Sequence, residues 1–261
     1  MKERERFTVA IDRGNSYVKA TLLEGSRPVG RIRSQRCDSD ALRDLCDVRD
    51  ISAVVVACVG SESSGWRDML NPLHGIPVLE VDHNTPLPIG IDYGTMDTLG
   101  LDRIAAAVGA AALFPGQACL VADAGTALTL DVVDACGCFR GGDISPGIKL
   151  RLRSLHEYTD RLPEIEKQGD VPCFGYDTAT AMRSGAVRGA AAEVMGAFLR
   201  ARRLYGTSLI VLTGGDSTLI EPYVREYLDS GVRLVSEGDL VAIGLYHILL
   251  HNKQVATCPE R

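Results

Sequence analysis

Two stretches of the sequence place a carboxylate and a glycine at the end of an apolar run. In the first, "VAIDRGNSYVKATLLEG" (9–25), Asp12 precedes a turn with Gly14, and a second apolar run then carries Lys19. Glycine lets a ligand approach the backbone, turn N–H groups bind phosphate oxygens, and a carboxylate binds a cation directly or through water. The pattern suits a nucleotide-binding turn, but an ordinary β-hairpin with a polar tip uses the same residue types.

The second stretch, "VADAGTALTLDVVDACG" (121–137), repeats the order of strand, acid, glycine, small polar residue and strand. Two copies about half the chain apart indicate an internal duplication. Together with a third apolar run that ends in "TGGDS" (213–217), they favour nucleotide binding over a plain hairpin. The P-loop and Rossmann glycine patterns are absent from the sequence, so those two modes of phosphate binding are excluded.

A third candidate is "LGLDRIAAA" (99–107), in which Asp102 and Arg103 precede a long apolar segment. As a structural feature, Asp102 is an acid in the first turn of a helix, where the helix dipole stabilises it. As a functional feature, an ionised carboxylate accepts a proton from a hydroxyl group, and an arginine holds an anionic substrate through two hydrogen bonds. The sequence pattern alone leaves both interpretations open.

Periodicity and turn residues predict the elements that must position these groups. Strands are predicted at 7–12, 17–23, 29–33, 52–59, 76–81, 117–133 (a strand pair), 208–213 and near 232–236. Helices are predicted at 40–48, 63–70, 101–114, 148–157, 177–206 and in the last segment to 250. The segment 82–99 is predicted to be a loop, and "GGDISPG" (141–147) a glycine-rich turn. The pattern predicts two α/β domains, 1–116 and 117–261.

Composition narrows the class of protein. The 261 residues can bury a sizeable core, and the net charge of −6 argues against nucleic acid or an anionic membrane as the main partner. Several of the eight cysteines lie in apolar runs, and no Cys/His cluster has metal-ligand spacing. The sequence shows neither a signal peptide nor an apolar run long enough to span a bilayer. We therefore expect a cytoplasmic protein.

At this point the motifs resemble those of type III pantothenate kinases, in the family's order and over nearly the whole chain. They are "DRGNSYVK" (12–19), "YGTMDTLGLDR" (93–103), "DAGTALTLD" (123–131), "GGDISPGIKLRLRSL" (141–155), "YTDRLP" (158–163), "DTATAMRSG" (177–185) and "LTGGDS" (212–217). The resemblance implies an α/β fold of two similar ribonuclease H-like domains, each a mixed sheet flanked by helices, with the nucleotide cleft between them. This is the architecture of the actin, Hsp70 and sugar-kinase superfamily.

The resemblance also implies an activity and residue roles. The activity is ATP-dependent phosphorylation of pantothenate to 4′-phosphopantothenate, the first step of coenzyme A synthesis, by a homodimer. Asp102 is the implied catalytic base, Asp12 is implied to position Mg²⁺, and Asp123 is implied to bind a monovalent cation, K⁺ or NH₄⁺. The implied ATP contacts are Asp12, Arg13, Gly14, Asn15, Ser16, Lys19, Gly125 and Thr126. The implied pantothenate contacts are Tyr93, Gly100, Leu101, Arg103 and Thr178.

Two positions depart from the family pattern. Ser16 stands where threonine is usual and keeps the hydroxyl group, whereas Arg13 stands where an apolar residue is usual. Strand alternation puts Arg13 on the face opposite Asp12, so it either points to solvent or adds positive charge near the phosphates.

The alternative functions are a non-catalytic or moonlighting transcriptional accessory factor of the same family, and a related small-molecule kinase. Retention of the whole set of chemical residues favours an enzyme. The many small residues of the predicted helix 177–206 predict a close helix contact at the dimer interface.

Overall fold

The computed structural model describes residues 6–14, 17–35, 38–47, 49–58 and 66–257. The chain forms two compact units, Met1–Phe114 with Asp239–Arg261, and Pro115–Gly238. The division expected from the sequence, at 116/117, groups the C-terminal segment with the second half, whereas in the structure this segment packs with the first unit. The physical reason is a helix–helix contact described below.

The first unit contains a five-stranded mixed sheet. Its strands are β1 (Phe7–Arg13), β2 (Val18–Glu24), β3 (Arg27–Ser34), β4 (Ile51–Cys58) and β5 (Val78–Val81), in the order β3-β2-β1-β4-β5. β1, β2 and β3 pair antiparallel, and β4 and β5 extend the sheet in parallel with β1. The continuous apolar run of β4 is typical of a strand covered on both faces.

The helices of the first unit cover both faces of this sheet. They are α1 (Ser39–Cys46), α2 (Trp66–Met69), α3 (Leu101–Leu113) and α7 (Leu240–Thr257). The same unit also contains 3₁₀ turns at Asn71–Leu73 and Met96–Thr98 and a two-residue strand, β6 (Gly90–Ile91). Ile11 and Val54 pack with Leu42 of α1 on one face. α3 and α7 pack on the other. Of the predicted helix 63–70, residues 63–65 lie outside the described residues.

α3 and α7 touch along their backbones. A Cβ atom at Gly244 would lie 1.7 Å from the Ala105 carbonyl oxygen, and one at Gly109 would lie 2.3 Å from the Leu240 carbonyl oxygen. Only glycine fits at such distances. This contact attaches the C-terminal helix to the first unit and fixes the position of α3.

The second unit repeats the topology of the first. Its strands are β7 (Cys119–Ala124), β8 (Ala127–Val133), β9 (Cys138–Pro146), β10 (Leu209–Thr213) and β11 (Arg233–Ser236), and within this unit they lie in the order β11-β10-β7-β8-β9. β7, β8 and β9 pair antiparallel, and β10 and β11 are parallel to β7. Strand order and direction match those of the first unit, which confirms the predicted pair of similar mixed α/β sheets.

Three helices of the second unit, α4 (Ile148–Glu157), α5 (Thr178–Tyr205) and α6 (Ser217–Arg225), pack on one face of its sheet. Leu120, Leu130 and Ile210 of the strands form a core with Ile148 and Phe198 of the helices. None of the helices among the described residues combines the length and apolar character needed to cross a membrane.

The prediction that 141–147 is a turn is wrong for most of the segment, because residues up to Pro146 belong to β9. Gly142 lies opposite Asp131 in the β8–β9 register. A Cβ atom at Gly142 would lie 2.1 Å from the Leu130 carbonyl oxygen and 2.4 Å from Asp131 Oδ1. The glycine therefore serves close packing of the strands, which sequence alone does not distinguish from a turn.

Buried cysteines act as part of the two cores. Burial raises the pKa of the Cys46 thiol to about 11 and that of the Cys119 thiol to about 12. Both side chains are therefore protonated at neutral pH and behave as small apolar groups.

Candidate active site

The turn after β1 is closed by the backbone, where the Gly14 N–H donates to the Tyr17 carbonyl at 3.0 Å. Asp12 and Lys19 are direct partners in the register of β1 and β2. Directly opposed side chains of an antiparallel pair lie on the same face of a sheet. The carboxylate and the ammonium group therefore share one face, and both residues are partly buried.

Arg13 lies on the other face of β1. Ile11 packs into the core beside α1, and alternation places Arg13 on the same side as Ile11 and Asp12 on the opposite side. Arg13 is partly buried rather than fully in solvent. Two further predicted ATP contacts of this turn, Asn15 and Ser16, lie outside the described residues.

Asp102 lies in the first turn of α3. The Gly100 carbonyl accepts the Ile104 N–H at 3.1 Å and so starts the helix. Asp102 Oδ1 accepts the Arg103 N–H at 2.9 Å. A Cβ atom at Gly100 would lie only 2.4 Å from the same oxygen, so the carboxylate folds back over the glycine. The helix dipole favours negative charge at this position, both for a capping acid and for a base that must stay ionised.

Arg103 and Tyr93 come together beside this turn. The Arg103 side chain is buried, and its Cζ lies 5.8 Å from the centre of the Tyr93 ring. A guanidinium group is weakly hydrated and stacks on aromatic faces, so this environment suits an arginine that holds an anion. Leu101 is also buried at this helix start. The predicted set of Tyr93, Gly100, Leu101 and Arg103 thus forms one local cluster in the first unit.

The second turn, in the other unit, is also closed by a glycine N–H, but it is one residue shorter than the first. The Gly125 N–H donates to the Ala127 carbonyl at 2.9 Å. Asp123 lies in register with Thr129 of β8 and Thr213 of β10, which gives a polar row across three strands. This row lies at the carboxyl ends of β7 and β10, the edge of the sheet where ligands bind in α/β folds.

Close backbone packing surrounds Asp123. A Cβ atom at Gly214, whose φ is +92°, would lie 2.3 Å from Asp123 Oδ1. A Cβ atom at Gly147 would lie 2.2 Å from the Gly125 carbonyl oxygen. The Gly147 N–H donates to the Thr126 carbonyl at 3.0 Å. Carboxylate and carbonyl oxygens therefore crowd this turn, and such oxygens are the ligands that hard cations prefer. Among the described residues, no group of three or more Asp, Glu, His and Cys side chains is placed to hold a metal ion.

An ion-pair network holds the segment between β9 and α4. Arg151 binds Glu193 of α5 through two hydrogen bonds of 2.7 and 2.6 Å, and its Nε donates to the Pro146 carbonyl at 2.7 Å. The Ser145 hydroxyl also donates to Glu193, at 2.7 Å. The hydrogen bonds from Arg151 lower the pKa of Glu193. The network fixes Gly147 and, through it, the Thr126 turn.

The second unit contains two further polar groups, the Asp216–Lys167 ion pair and the start of α5 at Thr178. Asp216 follows the Gly-Gly turn after β10, its N–H donates to the Ala124 carbonyl at 2.8 Å, and its carboxylate pairs with Lys167. Thr178 is exposed at the first position of α5. Asp177 caps that helix, because its carboxylate accepts a hydrogen bond of 2.7 Å from the Thr180 N–H. This hydrogen bond lowers the pKa of Asp177.

Sequence reasoning missed the residues that brace these groups. Arg151 and Glu193 are far apart in the chain, and nothing in either local pattern links them. Lys167 lies in an irregular segment without a motif. For Asp216 a signal existed, because the acid after the Gly-Gly pair in "TGGDS" is visible in the sequence.

The fold defines the class of protein. A structure of a Baf family protein from Campylobacter jejuni aligns with a TM-score of 0.60 at 20% identity, covering 94% of this chain and 99% of that one. A ROK family glucokinase from Streptomyces griseus, in complex with glucose and AMPPNP, aligns with a TM-score of 0.52 at 13% identity, covering 92% and 98%. The chain therefore shares its fold with these two proteins.

The family follows from sequence comparison. The profile described as type III pantothenate kinase matches residues 8–200. A type III pantothenate kinase of Bacteroides fragilis is 37% identical over 246 residues, covering 94% of this chain and 98% of that protein. Another, of Phocaeicola vulgatus, is 36% identical over 249 residues, covering 95% and 100%. The chain belongs to the type III pantothenate kinase family.

Proposed function

We propose that this chain transfers the γ-phosphoryl group of ATP to the primary hydroxyl of pantothenate, the first step of coenzyme A synthesis. The observation that carries the proposal is the start of α3. There Asp102 lies over Gly100, and the adjacent Arg103 is buried beside Tyr93. A proton acceptor and an anion-binding group next to each other suit a substrate that has a hydroxyl group and a carboxylate.

On the acceptor side, Asp102 receives the proton of the attacking hydroxyl. It lies in the first helical turn, where the helix dipole favours the negative charge that a general base carries. Arg103 pairs with the pantothenate carboxylate, since guanidinium and carboxylate groups form two parallel hydrogen bonds. Tyr93, Gly100, Leu101 and Thr178 are the further proposed pantothenate contacts.

On the ATP side, phosphoryl transfer depends on positioning and charge stabilisation rather than on covalent help from the protein. Lys19 supplies positive charge, and Gly14, Gly125 and Thr126 are the proposed ATP contacts of the two turns, where glycine lets a phosphate group approach the backbone. Asn15, Ser16 and Arg13 are further proposed contacts of the first turn. When bound with ATP, Mg²⁺ neutralises phosphate charge, and Asp12 is the residue that would hold it.

Asp123 is the proposed ligand of a monovalent cation. Its carboxylate lies against Gly214, which also lies against the Ala124 carbonyl oxygen. K⁺ or NH₄⁺ fits this oxygen-rich turn and would offset phosphate charge beside the stretch "DAGTALTLD" (123–131), which contains no basic residue.

We expect the purified chain to phosphorylate pantothenate with Mg²⁺-ATP in K⁺ or NH₄⁺, and at least about tenfold more slowly in Na⁺ alone. The measurement is the rate of ADP release in matched chloride salts at equal ionic strength, with the phosphorylated product identified by mass. Equal rates in Na⁺ would remove the cation role from Asp123. No product in any salt would overturn the enzyme proposal.

The alternatives make different predictions in the same assay. A related small-molecule kinase would release ADP with another acceptor, such as a hexose, and not with pantothenate. A transcriptional accessory factor would release none. Family membership does not favour the transcriptional accessory factor, and the structural likeness to a Baf family protein concerns the fold alone.

We also propose a cytoplasmic homodimer. Small residues of α5 divide between two faces: Ala186 and Ala190 pack inside the second unit, whereas Ala181 and Gly185 are exposed. In the segment that leads into α5, the Phe174 side chain is 87% exposed. An exposed aromatic group beside a smooth helix face is typical of a protein interface.

The dimer proposal predicts a solution mass of twice 28.0 kDa, measured by light scattering. Phe174→Arg is expected to shift the protein towards monomer, because it places a charge in the interface. The matched control is Tyr227→Arg, an exposed aromatic outside this surface, which is expected to remain dimeric. A fully active monomer of the unchanged chain would contradict the proposal.

A further inference from the structure

The peptide that precedes α3 has an unusual hydrogen-bond partner. Leu99 is 1% exposed, and its carbonyl lies before the first acceptor of the helix, which is Gly100. Buried carbonyl groups need a donor. His83 Nε2 lies 2.9 Å from the Leu99 carbonyl oxygen. Because a carbonyl only accepts, the proton is on Nε2 of the imidazole.

His83 is itself held in place by a tight turn. Asp82 Oδ1 accepts the Asn84 N–H at 2.9 Å and the Thr85 hydroxyl at 2.8 Å. The hydrogen bond from Thr85 is the main cause of a lowered pKa of Asp82. The far side of the turn is anchored to α7, because Asn252 Nδ2 donates to the Pro86 carbonyl at 2.9 Å. The imidazole is therefore presented by a rigid segment of the same unit.

Small shifts at Leu99 are transmitted to the proposed chemistry. The Asp102 carboxylate lies so close to Gly100 that no side chain fits between them. Arg103 leaves the same helical turn. Moving the peptide at 99–100 therefore moves both the proposed base and the proposed anion-binding group, and shifts of this kind lower rates strongly.

We propose that His83 is a positioning residue of the phosphoryl-acceptor site: its imidazole fixes the peptide that precedes Asp102 and Arg103. This inference rests on the proposed function of those two residues. A direct role in proton transfer does not fit, since Nε2 is engaged with a backbone carbonyl. A metal-ligand role does not fit either, because the described residues form no cluster of such ligands.

The decisive variants are His83→Leu and His83→Gln. Leucine has a similar size but no donor, whereas the Gln side-chain amide nitrogen is as many bonds from Cα as His Nε2 and donates to a carbonyl. We expect His83→Leu to lower kcat/KM for pantothenate by about tenfold, the scale of one lost buried hydrogen bond. KM for ATP should stay within about twofold, and His83→Gln should recover most of the loss.

A second measurement does not depend on the enzyme reaction. Amide hydrogen exchange at Ile104, whose N–H bonds to the Gly100 carbonyl, is expected to be about tenfold faster in His83→Leu and unchanged in His83→Gln. His74→Leu, at an exposed histidine, is the matched control and should change neither readout.

The results distinguish a failure of the role proposed for His83 from a failure of the proposed function of the chain. If the unchanged chain phosphorylates pantothenate but His83→Leu does so equally well with normal exchange at Ile104, the role of His83 is overturned. If exchange rises in His83→Leu and is restored in His83→Gln while the unchanged chain lacks activity, the contact is correct and the proposed function fails. Loss in both variants with a lower melting temperature would assign His83 a structural role only.

Discussion

Asp102→Asn is expected to lower kcat for pantothenate by roughly 10²–10⁴-fold, the range typical of a lost general base. Asparagine retains the side-chain oxygen that accepts the Arg103 N–H, so the start of α3 is preserved. It cannot take the proton of the attacking hydroxyl. The substitution therefore separates the two interpretations of Asp102, because an N-terminal helix residue needs only the acceptor and a base needs the ionised carboxylate.

The measurements are steady-state kcat, KM for ATP and the melting temperature. ATP binding and stability should be close to those of the unchanged chain. Asp97→Asn, at an exposed acid in the preceding 3₁₀ turn, is the matched control and should keep normal turnover. If Asp102→Asn also keeps near-normal turnover, Asp102 serves only the start of the helix and the acceptor side of the proposal must be sought elsewhere.

The two acid–glycine turns could be predicted from the sequence because their causes are local. Strand alternation and the preference of glycine for turns act over a few residues, and the cross-strand partners Asp12 and Lys19 follow from one tight hairpin. The duplicated topology followed from the repeat of this pattern. The face of Arg13 was also predictable, because alternation in β1 fixes it relative to Ile11.

The interactions that brace these turns could not be predicted. His83 and Leu99 are 16 residues apart and Arg151 and Glu193 are 42 apart, and neither pair leaves a mark on local periodicity. The segment around Gly142 was mistaken for a turn because glycine serves close strand packing as readily as it serves turns. Such contacts depend on tertiary packing, which determines whether a segment forms a turn or a strand when the local sequence pattern is compatible with both.

The grouping of the C-terminal helix with the first unit rests on glycine packing, which gives the second large prediction. Gly244→Ala is expected to lower the free energy of unfolding by about 3 kcal/mol, because a Cβ atom 1.7 Å from the Ala105 carbonyl oxygen forces α3 and α7 apart. For a chain of this size the expected fall in Tm is roughly 6–12 °C. The measurement is thermal unfolding followed by circular dichroism.

The matched control for Gly244→Ala is Gly196→Ala in α5. At Gly196 no atom lies within 4 Å of the added Cβ, and replacing glycine by alanine inside a helix stabilises it by roughly 0.5–1 kcal/mol. The two substitutions are chemically identical, so opposite shifts in Tm would isolate the helix–helix contact from helix propensity. Because α3 carries Asp102, Gly244→Ala should also lower turnover below its melting range. A variant as stable and active as the unchanged chain would show that α3 and α7 do not touch at this point.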